Sequence, residues 1–196
     1  MFFARRPSDY EIARFLEHAL TQPLSYSPAG LTRSAVSHGR LDVLRAPIGR
    51  GAADFERARD ALMAWKHFDL PWVQLFPRHA PIDVGTVVAV CVQHLGFWSL
   101  NGARVVYRLD DATRVGFAYG TLTNHAENGE ELFEVFGDAK SDEVIYRIRA
   151  VSWPQAALAW IGYPFVRHLQ ARFRRDSVAA MRRVTGYGRP SLSNRR

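Results

Sequence analysis

Gly116–Phe133, read as GFAYGTLTNHAENGEELF, is the stretch around which the other segments arrange themselves. Its first half alternates. Along a strand Val115, Phe117, Tyr119 and Thr121 point to one face while Gly116, Ala118, Gly120 and Leu122 point to the other. One face is therefore bulky and the other nearly bare. Glycine weakens a strand and leaves nothing to pack, so a bare face marks a place where a helix, another backbone or a ligand comes close. The second half carries His125, Glu127, Glu130 and Glu131 around Asn128-Gly129, a pair that favours a tight turn. The expectation is a hairpin here.

Working outward, Trp72 to Val151 reads as strands: Val73 to Phe76, Thr86 to His94, Phe97 to Leu100, Arg104 to Leu109, Arg114 to Leu122, Glu131 to Phe136 and Glu143 to Val151. Short joints at Asn101-Gly102, Asp110-Asp111, Asn128-Gly129 and Gly137-Asp138 make neighbours antiparallel. No helix-length segment interrupts them, which excludes a parallel βαβ sheet. Upstream, Ser8 and Glu11 form a capping box ahead of Ile12, Phe15, Leu16 and Ala19, predicting a helix over about 9–20. A short strand over Arg40 to Arg45 follows a Pro-containing connector. A second helix over about 52–66 aligns Phe55, Ala58, Leu62 and Trp65 on one stripe. Gly49-Arg50-Gly51 before it lacks the third glycine and the βαβ setting of a dinucleotide loop. Downstream, Ser152-Trp153-Pro154-Gln155 reads as another capping box opening a long helix. Pro164 should kink or break that helix, whose stripe of Phe165, Leu169 and Phe173 continues to about Val184.

The 196 residues suit one domain, taken as 1–185, with 186–196 a flexible basic tail. With 47% hydrophobic and 23% charged residues the composition is that of a folded globular chain. The opening MFFARRPSD is not ordered like a secretory signal, no run is long enough to span a bilayer, and Cys91 alone can form no internal disulfide. Cytoplasmic residence is the default. Of the net charge of +7, Pro164–Arg196 carries +8, with nine arginines against Asp176, so the first 163 residues sum to −1. Twenty-four of the 26 basic residues are arginine throughout the chain, and no base-stacking aromatics interleave with the C-terminal ones. Weak, salt-sensitive retention on polyanions is expected there, without a specific nucleic-acid partner.

The segments IGRGAADFERARDALMAWKHF (Ile48–Phe68), RVVYRLDD (Arg104–Asp111), GFAYGTLTNHAENGEELF and YPFVRHLQARFRRDS (Tyr163–Ser177) occur in order. On them the chain resembles a bacterial and plant family catalogued as domain of unknown function nineteen-ninety, over about Tyr26 to Arg183. Trp153 departs from the family pattern, which favours arginine before Pro154. The resemblance carries no established activity. The order of elements also resembles the helix-grip proteins, the group of the birch-pollen allergen and the START domains. That likeness implies an α+β fold: a curved antiparallel sheet of about six or seven strands wrapped around a long, proline-kinked C-terminal helix, with an extra N-terminal helix and a cavity between sheet and helix.

These readings frame two functions. The first is a non-enzymatic binding protein holding a small apolar or amphipathic molecule between sheet and C-terminal helix, with Trp65, Phe117, Tyr119, Gly120, Trp153 and Trp160 as the ligand-binding candidates. The second is an enzyme acting on such a molecule through His125, Glu127 and Glu131, since an imidazole beside carboxylates can carry protons. A solvated hairpin accounts for the same cluster without chemistry. No cofactor and no metal is expected, because no second histidine is spaced to join His125; His94 is a distant candidate partner.

Overall fold

The structure, a computed structural model, describes residues 1–33, 39–125, 127–138, 140–154 and 159–188, with side chains omitted at 154 and 159–165. In chain order the elements are β1 (Phe2–Phe3), α1 (Asp9–Thr21), β2 (Arg40–Arg50), α2 (Gly51–Met63), a short 3-10 turn (Lys66–Phe68), β3 (Val73–Phe76), β4 (Val87–His94), β5 (Phe97–Asp111), β6 (Arg114–Thr121), β7 (Glu127–Asp138), β8 (Glu143–Pro154) and α3 (Ala159–Thr185). The strands form one antiparallel sheet in the order β2-β8-β7-β6-β5-β4-β3, with β1 adding to β5. This is the helix-grip arrangement expected from the sequence.

Both faces of the sheet are covered. β4 shows the division most simply, because Val88 and Val90 belong to the main core under α2 and α3, whereas Val87, Ala89 and Cys91 pack with Ile12, Phe15 and Ala19 of α1. The Ser8–Glu11 capping box is formed as the sequence predicts. In α2, Phe55, Ala58 and Leu62 face the main core. α3 contributes Val178 and Met181, with Leu169 and Phe173 partly buried against the same core. Trp72 donates its indole N–H to Asp176 at 3.0 Å, tying β3 to α3.

Several expectations need correction. Asn101-Gly102 lies inside the continuous strand β5, paired across β4 with Val90 and Ala89. Gly102 is bare because the Asn124 side chain fills the space a Cβ would take. The turn lies instead at Leu95-Gly96. Asn128-Gly129 is likewise strand, opposite Trp153 and Ser152 of β8. Ser152 and Trp153 are therefore the end of β8 and not a helix cap; Gln155 falls outside the described residues. The first strand runs on past Pro47 to Arg50, with a bulge between Pro47 and Gly49 that keeps the pairing going. α2 ends at Met63, short of Trp65, whose positive φ of 58° breaks the helix. α3 passes Pro164 as one unbroken helix. The residues of the expected tail beyond 188 fall outside the described residues.

The bare face of β6 is turned away from α3, opposite to the expectation. Phe117 and Tyr119 face the main core under α2 and α3, and three separate neighbours crowd the small residues behind. A Cβ at Gly116 would lie 2.6 Å from Cβ of Glu134, the buried carboxylate held by Arg114 and Arg147. Ala118 sits under Tyr107 and Leu132. A Cβ at Gly120 would lie 2.9 Å from both Leu24 Cδ2 and Tyr26 Cε1, and closer still to the Tyr26 hydroxyl. Close packing explains the glycine, but against the 22–33 connector.

Gly120→Val should therefore destabilise the protein by about 1–3 kcal/mol, the usual cost of overpacking a filled site, as read by urea denaturation. A neutral or stabilising effect would mean that the space behind β6 is empty.

His67 supplies a second test. Its ring is fully buried among Trp65, Phe68, Phe117 and Phe133, with neither nitrogen hydrogen-bonded. Burial lowers its pKa from 6.5 to about 3. The unfolded chain thus binds a proton that the folded chain refuses, so stability is full above about pH 6.5 and falls as pH drops toward 3. His67→Phe should flatten that acid limb and raise stability by about 1–3 kcal/mol by removing an unsatisfied polar ring, measured as melting temperature against pH.

Candidate functional site

Between the inner face of the sheet and α3 lies a cavity of about 400 Å³. Its body is apolar: Phe68 and Trp72 from the segment after α2, Val90 and Val92 from β4, and Leu169 and Phe173 from α3. Alternation along β4 aims Val90 and Val92 inward, and the four-residue spacing of Leu169 and Phe173 puts both on one side of α3.

The polar end belongs to β7. Tyr119 and Glu131 are paired across β6 and β7, and the Tyr119 hydroxyl donates to Glu131 Oε2 at 3.1 Å. Burial pushes the Glu131 carboxyl up to about 7, opposed by that hydrogen bond and by the Arg174 charge. Glu127 accepts from Gln170 Nε2 at 2.8 Å through one oxygen, while its buried Oε1 has no partner. Its pKa is raised too, again chiefly by burial. The Glu127 backbone N–H donates to His125 Nδ1 at 3.0 Å, and burial lowers the His125 pKa to about 4. At neutral pH the imidazole is therefore uncharged, and Glu131 keeps its proton far above the usual carboxylate range.

α3 closes this end through charge. Arg167 grips Asp42 of β2 with both terminal nitrogens, one at 2.7 Å, and Arg174 lies 3.8 Å from the same carboxylate. Other C-terminal arginines are also occupied: Arg172 and Arg175 pair with Asp176, and Arg182 and Arg183 donate to the carbonyls of Pro47 and Asp69.

The sequence-selected residues divide. Tyr119, His125, Glu127 and Glu131 line the cavity, so the solvated-hairpin reading of that cluster fails: β7 starts at Glu127 and carries it under α3. Trp65 and Phe117 lie deeper, packed 4.7 Å apart between ring centres, with the Trp65 N–H donating to Ala80 O. Gly120 is on the outer face. Trp153 stands edge-on to Tyr26, 6.3 Å away between ring centres, and against Gly39. The Trp160 side chain falls outside the described residues. His94 lines the cavity at the β4–β5 end. Glu130, one residue from Glu131, points outward and accepts from Tyr26, Gly30 and Thr32. Sequence reasoning missed Phe68, Val90, Val92 and Gln170 as wall residues. Alternation in β4 was the available signal for the valines. Among the described residues no group of three or more His, Cys, Asp or Glu is placed to hold a metal ion, and no helix is long and apolar enough to cross a membrane.

The family model described as "Domain of unknown function (DUF1990)" matches residues 25–180. A UPF0548 protein of Dictyostelium discoideum is 32% identical over 95% of this chain and 96% of its own length. UPF0548 protein At2g17695 of Arabidopsis thaliana is 33% identical over 70% and 69%, and a UPF0548 protein of Deinococcus radiodurans is 30% identical over 95% and 100%. Relatives thus extend beyond bacteria and plants. Among solved structures, hypothetical protein jhp0584 from Helicobacter pylori superposes with a TM-score of 0.54 at 10% identity, covering 82% of this chain and 95% of the other. Ara h 8.0201 gives 0.51 at 13%, covering 76% and 98%. At such identities the likeness is one of fold.

Glu131→Gln tests the site's electrostatics without any ligand. A carboxyl whose folded pKa lies above its unfolded value of about 4.5 contributes stability below that pH and loses it as pH rises through about 7. The glutamine variant should match the wild type in urea at acid pH, gain on it between about pH 4.5 and 7, and hold that advantage above neutrality. Equal curves across the range would mean that Glu131 is solvated.

Proposed function

Because the chain belongs to the DUF1990 family, whose description names no activity, we propose its function from the cavity: it binds a small apolar or amphipathic molecule between sheet and α3. The observation that carries this is an apolar space of about 400 Å³ with a polar end at Tyr119 and Glu131. That volume and that mixture of apolar walls with a few fixed polar groups are what small-molecule sites share. The molecule lies with its apolar body against Val90, Leu169 and Phe173. Its polar end meets Glu131, whose second oxygen and the unpaired Oε1 of Glu127 offer hydrogen-bond acceptors.

A second reading has one observation in its favour. A carboxyl held near pH 7 beside a cavity can give or take a proton, so Glu131, with His125 and Glu127 nearby, is placed for acid–base chemistry on the bound molecule.

Native mass spectrometry of protein purified without detergent should find a co-purifying small molecule. Leu169→Trp, which fills the space from α3, should lose it and weaken binding of an apolar fluorescent probe by about tenfold or more, a change of about 1.4 kcal/mol. Undiminished probe binding in that variant would sink the cavity reading. If the same molecule is recovered unchanged from Glu131→Gln and from wild type, simple binding is favoured. A mass that differs between the two favours chemistry.

A further inference from the structure

Two unfavourable features coincide at the tip of the β4–β5 hairpin. Leu95 has φ of 47° and Gly96 φ of 81°, the two-residue turn with both central residues left-handed that Asn-Gly or Asp-Gly suits best. Leucine is disfavoured there because its Cβ crowds the backbone. It is also 78% exposed, so the chain accepts both backbone strain and an unburied apolar side chain at one position. Strain of this kind persists where it serves a purpose.

The surroundings indicate the purpose. Phe97, 54% exposed, follows the turn, and Phe2, 66% exposed, lies beside it through the pairing of β1 with β5. The Phe2 ring stands edge-on to His94, 6.1 Å between ring centres. Phe2 and His94 also line the cavity, so the apolar tip borders its mouth. Segments 1–8 and 92–101 contain no Asp or Glu, and the arginines next along the chain, Arg5 and Arg6, pair with Glu11 and Asp9.

We propose that this tip docks on a lipid surface, inserting Leu95, Phe97 and Phe2 at the interface. Resting on the binding function argued above, this lets an apolar ligand pass between bilayer and cavity without crossing water. A protein partner suits the tip less well. Three side chains on and beside one turn fall far below the roughly 1,000 Å² that a specific protein interface needs, whereas shallow insertion of leucine and phenylalanine is what membrane-interface binders use. The net charge of +7 also suits anionic headgroups.

Leu95→Asn separates the role from folding, because asparagine is the residue the turn favours: its melting temperature should equal or exceed that of the wild type. Co-sedimentation with vesicles of phosphatidylcholine, and of equal parts phosphatidylcholine and phosphatidylglycerol, should pellet the wild type, more strongly on the anionic vesicles. Leu95→Asn and Phe97→Ser should each lower partitioning about tenfold or more, the effect of no longer burying one large apolar side chain. Wild type left in the supernatant of both vesicle types, or Leu95→Asn pelleting like wild type, overturns the proposal. So does a wild-type dimer in sedimentation velocity that Leu95→Asn converts to monomer, which would make the tip a protein contact. Anilinonaphthalene sulfonate binding that Leu169→Trp abolishes and Leu95→Asn leaves intact, measured in parallel, reports the cavity. A failed vesicle assay with intact probe binding removes the docking role and leaves the binding function standing, whereas loss of probe binding in the wild type removes the binding function itself.

Discussion

A strand must send adjacent side chains to opposite faces, and at Glu130 and Glu131 that constraint separates two carboxylates by role. Glu130, outward, accepts from the Tyr26 hydroxyl, the Gly30 and Thr32 backbone N–H groups and the Thr32 hydroxyl. With its acceptor sites filled it is a fixed anchor that fastens the 22–33 connector across the back of the sheet. Glu131, inward, has a single hydrogen bond and an apolar space before it. Glu131 owes its isolation to the geometry that satisfies its neighbour. A one-residue slip of β7 would exchange the two roles and bury an anchor in the cavity.

The same principle explains the bare face of β6. Small residues at 116, 118 and 120 let three different structures approach the outer face: the Glu134 side chain, the Tyr107–Leu132 layer and the Tyr26–Leu24 connector. The bulky face is left to carry aromatic rings inward, where Phe117, Phe133 and His67 meet Trp65 and Phe68. The floor of the cavity is thus the upper surface of an aromatic core.

How much of this was legible can be judged element by element. Helices α1 and α2 were readable because the Ser8–Glu11 box and the Phe55, Ala58, Leu62 stripe are local signals, and local signals survive in a single sequence. The antiparallel order also followed from short joints. Asn-Gly misled twice, since the pair that suits a turn also suits a strand pressed by a neighbour: Gly102 makes room for Asn124, and the Gly129 N–H donates to the Thr121 hydroxyl. The true turn, Leu95-Gly96, had no such letters. Alternation showed that β6 has unlike faces but not which one meets α3, because that depends on partners far away in the chain. Of the site, the β7 cluster was found for its chemistry. The valine and Gln170 walls were not, since their role arises only when β4 and α3 are brought together.

Asp42 holds Arg167 and Arg174 of α3 from an edge strand whose only neighbour is β8, with Arg40 facing Ser152. The β4-to-β8 part of the sheet closes by successive hairpins, each a short loop with little entropy to lose. The β2–β8 pairing must instead close a loop of 92 residues, from Arg50 to its partner Glu143, and such contacts form slowly. As the chain leaves a ribosome, β2 and α2 emerge before the hairpin sheet, whereas α3, which walls the cavity, emerges after it. The α3 wall is therefore the last part of the cavity to be synthesised, and until it docks, Val90, Val92 and Phe68 have only the sheet and α2 beside them.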